Sequence, residues 1–144
     1  MRGWLLDTNV ISELRRPMPS ALVRTWMEAR PLSQLFLSRV TVAEIRYGID
    51  NVADLVRRRA ISAWLDVDLR RRYAGRVLEI DEPVMLEWLR MVERGRRMRH
   101  TFSQPDLFVA ATAAVHDLTV ATRNTADYRK AGVTVVNPWS AATP

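Results

Sequence analysis

Five short apolar runs recur along this 144-residue chain, each too short for a helix and each separated from the next by helical periodicity. They occupy residues 3–6, 35–38, 76–80, 118–122 and 132–136. Strands joined by helical crossovers pair as parallel neighbours, because a tight hairpin needs only a few linking residues. The expected architecture is therefore α/β, with a central five-stranded parallel sheet flanked by helices on both faces. The length suits one domain spanning residues 1–144, with no internal repeat, low-complexity stretch or linker.

The segments between the runs carry their own start and stop signals. Pro17 and Pro19 end a short helix after the first run, and Ser20 caps a second in which Leu22, Val23, Trp26 and Met27 recur at helical spacing. Thr41 and Glu44 stand at capping-box spacing and are expected to open a third helix. A long helix is expected over 53–73, with Leu55, Val56, Ile61, Trp64, Leu65 and Leu69 on its apolar side. Asp81, Glu82 and Pro83 suit the first turn of a helix that runs to about residue 98 and ends in basic residues. Ser103 and Asp106 repeat the capping spacing ahead of an alanine-rich helix to His116 that reads as fully buried.

The first apolar run stops at Asp7, and in open α/β sheets ligands bind in the crevice outside the carboxyl ends of the strands. Glu44 and Asp106 are each expected in the first turn of a helix, embedded like Asp7 in apolar sequence. Each acid also has an ordinary structural role open to it, as a cap or as a carboxylate facing the helix dipole. If the two helices start beside the end of the first strand, three carboxylates share one pocket and raise one another's pKa. A divalent cation relieves that repulsion. Carboxylate oxygen and water, without sulfur or imidazole, select Mg²⁺ or Mn²⁺ over zinc. Such an ion serves phosphoryl chemistry.

The formal charge is +6 and is carried almost wholly by arginine, with Lys130 the only lysine. Genomic base composition accounts for arginine over lysine but not for the positive balance, which favours a polyanionic partner. The chain has no cysteine, which excludes disulfides and thiolate metal sites. Its longest uncharged apolar stretch, 107–115, is about half of a membrane span, and its start is too short for a signal-peptide core. A cytoplasmic protein with no membrane contact is expected. His100 and His116 have no partner at ligand spacing and receive no catalytic role.

Four blocks, in order, resemble the PIN-domain ribonucleases, and among them the VapC-type toxins of bacterial toxin–antitoxin pairs with FitB-like character. They are Leu5-Leu6-Asp7-Thr8-Asn9-Val10-Ile11-Ser12-Glu13; Thr41-Val42-Ala43-Glu44-Ile45 with Gly48; Asp106 with Ala110-Ala111-Thr112-Ala113; and residues 120–128 from Val120 to Tyr128. Asn137-Pro138-Trp139 is similar to FitB-like ends. The resemblance covers essentially the whole chain. It implies a Mg²⁺-dependent endoribonuclease, with Mn²⁺ as a substitute, inhibited by a cognate VapB-type antitoxin and touching operator DNA only through that antitoxin.

Asp7, Glu44 and Asp106 carry over as metal-binding catalytic acids. The FitB-like pattern has an aspartate directly after its Thr-Arg pair, where this chain has Asn124; many relatives place an acid three residues on, at Asp127. Asp127 is read as an outer metal-binding acid, with Asn124 assisting through its carbonyl oxygen. Thr8, Asn9 and Thr122 are candidates to orient carboxylates, water or substrate. Arg96, Arg97 and Arg99, with Arg94, precede the loop to Asp106 and are placed in an RNA groove. The arginine triplets 57–59 and 70–72 read as solvated faces. A homodimer is expected from the resemblance, and the apolar side of 53–73 suits either that contact or the chain's own core.

Two other classes share parts of this pattern. Haloacid-dehalogenase phosphatases also begin with a strand ending in aspartate, but need a second acid two residues later, where this chain has Asn9, and a downstream lysine, where this chain has only Lys130 near its end. A non-catalytic subunit that binds nucleic acid or an antitoxin, with acids that merely cap helices, remains the alternative.

Overall fold

The computed structural model describes residues 3–140; the ends of the expected 1–144 domain lie outside the described residues. The strands are β1 (Trp4–Leu6), β2 (Leu35–Ser38), β3 (Val77–Leu78), β4 (Thr119–Ala121) and β5 (Val135–Val136). They form one parallel sheet in the order β3-β2-β1-β4-β5. After β1 the chain adds strands on one side, then crosses to add β4 and β5 on the other. The ends of β1 and β4 therefore lie at the topological switch point, where α/β sheets bind ligands. The expected α/β fold and all-parallel sheet are present, with β3, β4 and β5 shorter than their apolar runs.

The helices are α1 (Thr8–Leu14), α2 (Ala21–Glu28), α3 (Arg39–Asp50), α4 (Leu55–Ala63), α5 (Arg70–Arg72), α6 (Glu82–Arg97), α7 (Gln104–His116) and α8 (Thr125–Lys130). Between α4 and α5 the chain stays helical but widens into a π-helical segment, Trp64–Leu69. Alternation along β1 sends Leu6 to one core with Val10, Val23, Trp26, Leu37, Val42 and Leu65, and Leu5 to a second with Val84, Met91, Leu107, Val120 and Tyr128. The sheet is thus covered on both faces.

Several local expectations shift. α3 begins at Arg39, capped by Ser38, whose Oγ accepts from the Thr41 N–H at 3.2 Å, so Thr41–Glu44 is not its capping box. Glu44 consequently lies in the second turn. Ser103 precedes α7 as expected but its side chain makes no cap bond, and Ala114 and Val115 of that helix reach solvent. The apolar side of 53–73 serves the chain's own core, since Ile61, Leu65 and Leu69 are buried there while Val56 is exposed. Gly3, at φ +156°, lets β1 approach the chain before β2: a Cβ there would stand 2.3 Å from the Gln34 carbonyl oxygen.

Candidate active site

Asp7 leaves the sheet and enters a helix in one step. Its N–H still pairs with the Ala121 carbonyl at 3.0 Å, while its Oδ1 accepts from the Thr8 N–H at 2.8 Å as the N-cap of α1. The structural and chemical roles coincide in this residue rather than compete. Its Oδ2 accepts from the Thr122 hydroxyl at 2.8 Å. Thr122 Oγ1 itself accepts from Asn9 Nδ2 at 3.2 Å and from the Asn124 N–H at 3.0 Å, which fills its lone pairs. The single hydroxyl proton is therefore directed to Asp7.

The network continues to both other acids. Thr8 Oγ1 donates to Glu44 Oε1 at 2.7 Å and lies 3.2 Å from Thr41 Oγ1, tying α1 to α3. Asn124 Nδ2 donates to Asp106 Oδ2 at 3.1 Å. The Tyr128 hydroxyl donates to Asp106 Oδ1 at 3.4 Å. Glu44, Thr8, Asp7, Thr122, Asn124, Asp106 and Tyr128 thus form one connected set drawn from four helices and two strand ends. Sequence spacing singled out all of these except Tyr128, which reads as one more core aromatic on a short amphipathic helix.

Burial is the first cause that raises the Asp7 carboxyl above the ordinary aspartate range, and the charge of Glu44 adds to it; the Thr122, Thr8 and Tyr128 donors oppose it. Asp106 is raised by burial first and by the charge of Asp7 second, with Asp127 contributing, against the Tyr128 and Asn124 donors. Among the described residues neither acid has an ion-pair partner. Two carboxylates that repel each other are satisfied here by neutral donors alone.

The remaining candidates are placed differently. Asn124 meets Asp106 with its amide nitrogen, because its neighbour is a carboxylate that needs a donor. Asp127, on α8, has Oδ1 3.3 Å from His100 Nε2, without the alignment of a hydrogen bond. His100 therefore does have an acidic partner, reached through a loop that sequence spacing does not reveal. Arg96 and Arg97 lean on Glu93 at 2.9 and 3.5 Å and are well exposed. Arg99 has no such pair among the described residues, and with Arg96 and His100 it lines a surface groove of about 360 Å³ that ends at Leu107, one residue past Asp106. On the opposite side, Glu44 and Thr8 border a cavity of about 260 Å³ with Arg15, Arg57 and Trp64.

Among the described residues, no three His, Cys, Asp or Glu side chains are gathered tightly enough to hold a metal ion as they stand. The donor set nevertheless fits a hard divalent cation: carboxylate oxygens without sulfur, with Asp7 buried, Asp106 half-buried and neither charge compensated by a cation.

The PIN domain family profile matches residues 4–133. This chain belongs to that family. Within it the chain is VapC/FitB-like: it is 38% identical to toxin FitB of Neisseria gonorrhoeae, over 94% of this chain and 97% of that one. It is 35% identical to the VapC ribonuclease Y4jK of Sinorhizobium fredii, over 96% and 99%. The solved structure of FitAB bound to a DNA fragment superposes with a TM-score of 0.90 at 36% identity, covering 95% of this chain and 96% of that chain. In this PIN domain the acids at the strand ends and the sheet order belong together, because the parallel topology itself brings residues 7 and 122 to one edge. No described helix is long and apolar enough to cross a membrane.

Proposed function

We propose that this PIN domain is the toxin of a toxin–antitoxin pair and acts as a Mg²⁺-dependent endoribonuclease. One observation carries the reading: at the switch point Asp7 is raised by burial and by the charge of Glu44, Asp106 by burial and by the charge of Asp7, with only neutral donors around them. Asp7, Asp106 and Glu44 would hold the cation, with Asp127 outside them and Mn²⁺ able to replace Mg²⁺. When bound, the ion supplies Lewis acidity toward the scissile phosphate and its attacking water.

The chain's own residues do the rest. Thr122 and Thr8 fix the rotation of Asp7, Asn124 fixes Asp106, and Thr8 links Glu44 to the same frame. Asn9 Nδ2 holds Thr122 at 3.2 Å and also reaches Asp7 Oδ2 directly at 3.5 Å. Arg99, with Arg96 and Arg97 beside it, offers cationic charge to the RNA backbone on the approach to Asp106.

Likeness to FitB and to a FitAB structure supports inhibition by a cognate VapB-type antitoxin, through which operator DNA is bound. A homodimer is better served by α6 than by residues 53–73, because Met85, Leu86 and Leu89 are exposed on one stretch of α6. The test is incubation of the purified protein with RNA, with and without Mg²⁺, beside Asp7→Asn. Metal-dependent cleavage lost in the variant is the expected result. Wild type and variant equally inert would leave a binding subunit whose Asp7 serves only as the N-cap of α1.

A further inference from the structure

Tyr128 is 1% exposed, and its ring packs in the core cluster with Leu5, Leu107, Ala110 and Val120. Its hydroxyl leaves that cluster and enters the polar one, donating to Asp106 Oδ1 at 3.4 Å and lying close enough to Asp7 to lower that acid's pKa. A phenylalanine would fill the same apolar space, so packing explains the ring but not the oxygen. A buried hydroxyl without a partner is costly, and this one has as partner the Asp106 carboxylate, which the charge of Asp7 opposes.

The donors divide cleanly. Asp7 Oδ1 takes the Thr8 N–H, Asp7 Oδ2 the Thr122 hydroxyl and the Asn9 amide, and Asp106 Oδ2 the Asn124 amide. The oxygen left over, Asp106 Oδ1, is the one facing Tyr128. Tyr128 is the donor that this oxygen receives. It stands on α8, packed beneath α7, so the position of its oxygen is set by the core rather than by the mobile reach of a surface side chain.

Resting on the reading of Asp7 and Asp106 as metal-holding acids, we propose that the Tyr128 hydroxyl is a positioning residue that, by donating to Asp106, fixes that carboxylate in the rotation from which it would hold a divalent cation together with Asp7. It acts through Asp106 and does not itself hold the ion. Partners of this kind, which orient metal-holding carboxylates, change metal affinity by about 10- to 100-fold when removed.

The experiment uses the full chain and Mn²⁺ alone, measured by calorimetry at fixed pH without RNA. Tyr128→Phe is expected to weaken Mn²⁺ binding about tenfold. Its KM for RNA at saturating metal is expected to stay within about twofold of wild type, a split that loss of the fold would not produce. Tyr73→Phe removes another buried tyrosine hydroxyl, in the opposite core, and is expected to leave Mn²⁺ binding unchanged. In wild type labelled with fluorotyrosine, the Tyr128 ¹⁹F resonance is expected to move on Mg²⁺ addition, which tests the contact without any variant. Mn²⁺ binding by Tyr128→Phe within twofold of wild type, an equal loss in Tyr73→Phe, or an unmoved resonance overturns the proposal while Asp7→Asn still abolishes binding. Wild type and Asp7→Asn binding Mn²⁺ equally, or not at all, overturns the metal reading and the proposal with it.

Discussion

The two inner acids and the two outer ones are held by different means. Asp7 ends a central strand, Asp106 sits in the first turn of a helix sunk in the core, and every oxygen of the pair meets a neutral donor. Glu44 lies on an exposed turn of α3 with one tie, to Thr8, and Asp127 turns toward His100. The inner pair is immobilised by backbone and core, so its mutual repulsion cannot be relieved by rotation. The outer pair is free to be recruited. Preorganisation is therefore concentrated where the sheet fixes the geometry, and adaptability where helices present it.

If that division is right, substitutions should fall into ranks. Asp7→Asn or Asp106→Asn is expected to lower RNA cleavage by on the order of 10³, since several kcal/mol of charge stabilisation at the phosphate is lost with either. Glu44→Gln is expected to cost about tenfold less than the inner substitutions, and Asp127→Asn less again, in the same assay. An Asp127 effect as large as that of Asp7 would erase the distinction between inner and outer acids.

A smaller effect appears in stability. Asp7 and Asp106 have folded-state pKa values above those of the unfolded chain, so folding favours their protonated forms. Metal-free stability should fall as pH rises from the ordinary carboxylate range through the raised values. At pH 7, Asp106→Asn should melt about 1–3 °C above wild type without metal, discounted because the site is only half-buried. The difference should close in acid, and Mg²⁺ should raise the melting temperature of wild type alone. Equal melting curves at every pH would show that the inner carboxylates are not strained by each other. The smallest effect is on the rim: Arg99→Ala should lower the salt dependence of RNA binding by about one unit of slope, and Arg96→Ala by less, because Glu93 already partners Arg96.

Much of this was legible in the chain itself, and what was not has physical reasons. The strand and helix order follows from hydrophobic periodicity, and Asp7 from an apolar run that stops at a carboxylate. The start of α3 was misplaced because Ser38 sits inside an apolar run and reads as strand, although its side chain caps the helix. The Asn124 orientation depends on what faces it, and the His100–Asp127 approach depends on a loop whose path the sequence does not encode locally. Tyr128 escaped notice because a tyrosine on an amphipathic helix looks like core, and its ring is core; only its last atom belongs to the site. The π-helical segment at Trp64–Leu69 has no signature in the apolar pattern, which runs through it unbroken.

The most direct measurement is the anomalous scattering of crystals soaked in Mn²⁺. The account predicts a peak at the end of β1 within about 2.1 Å of a carboxylate oxygen of both Asp7 and Asp106, absent in Asp7→Asn. A peak elsewhere, or none between these two residues at saturating Mn²⁺, would contradict it.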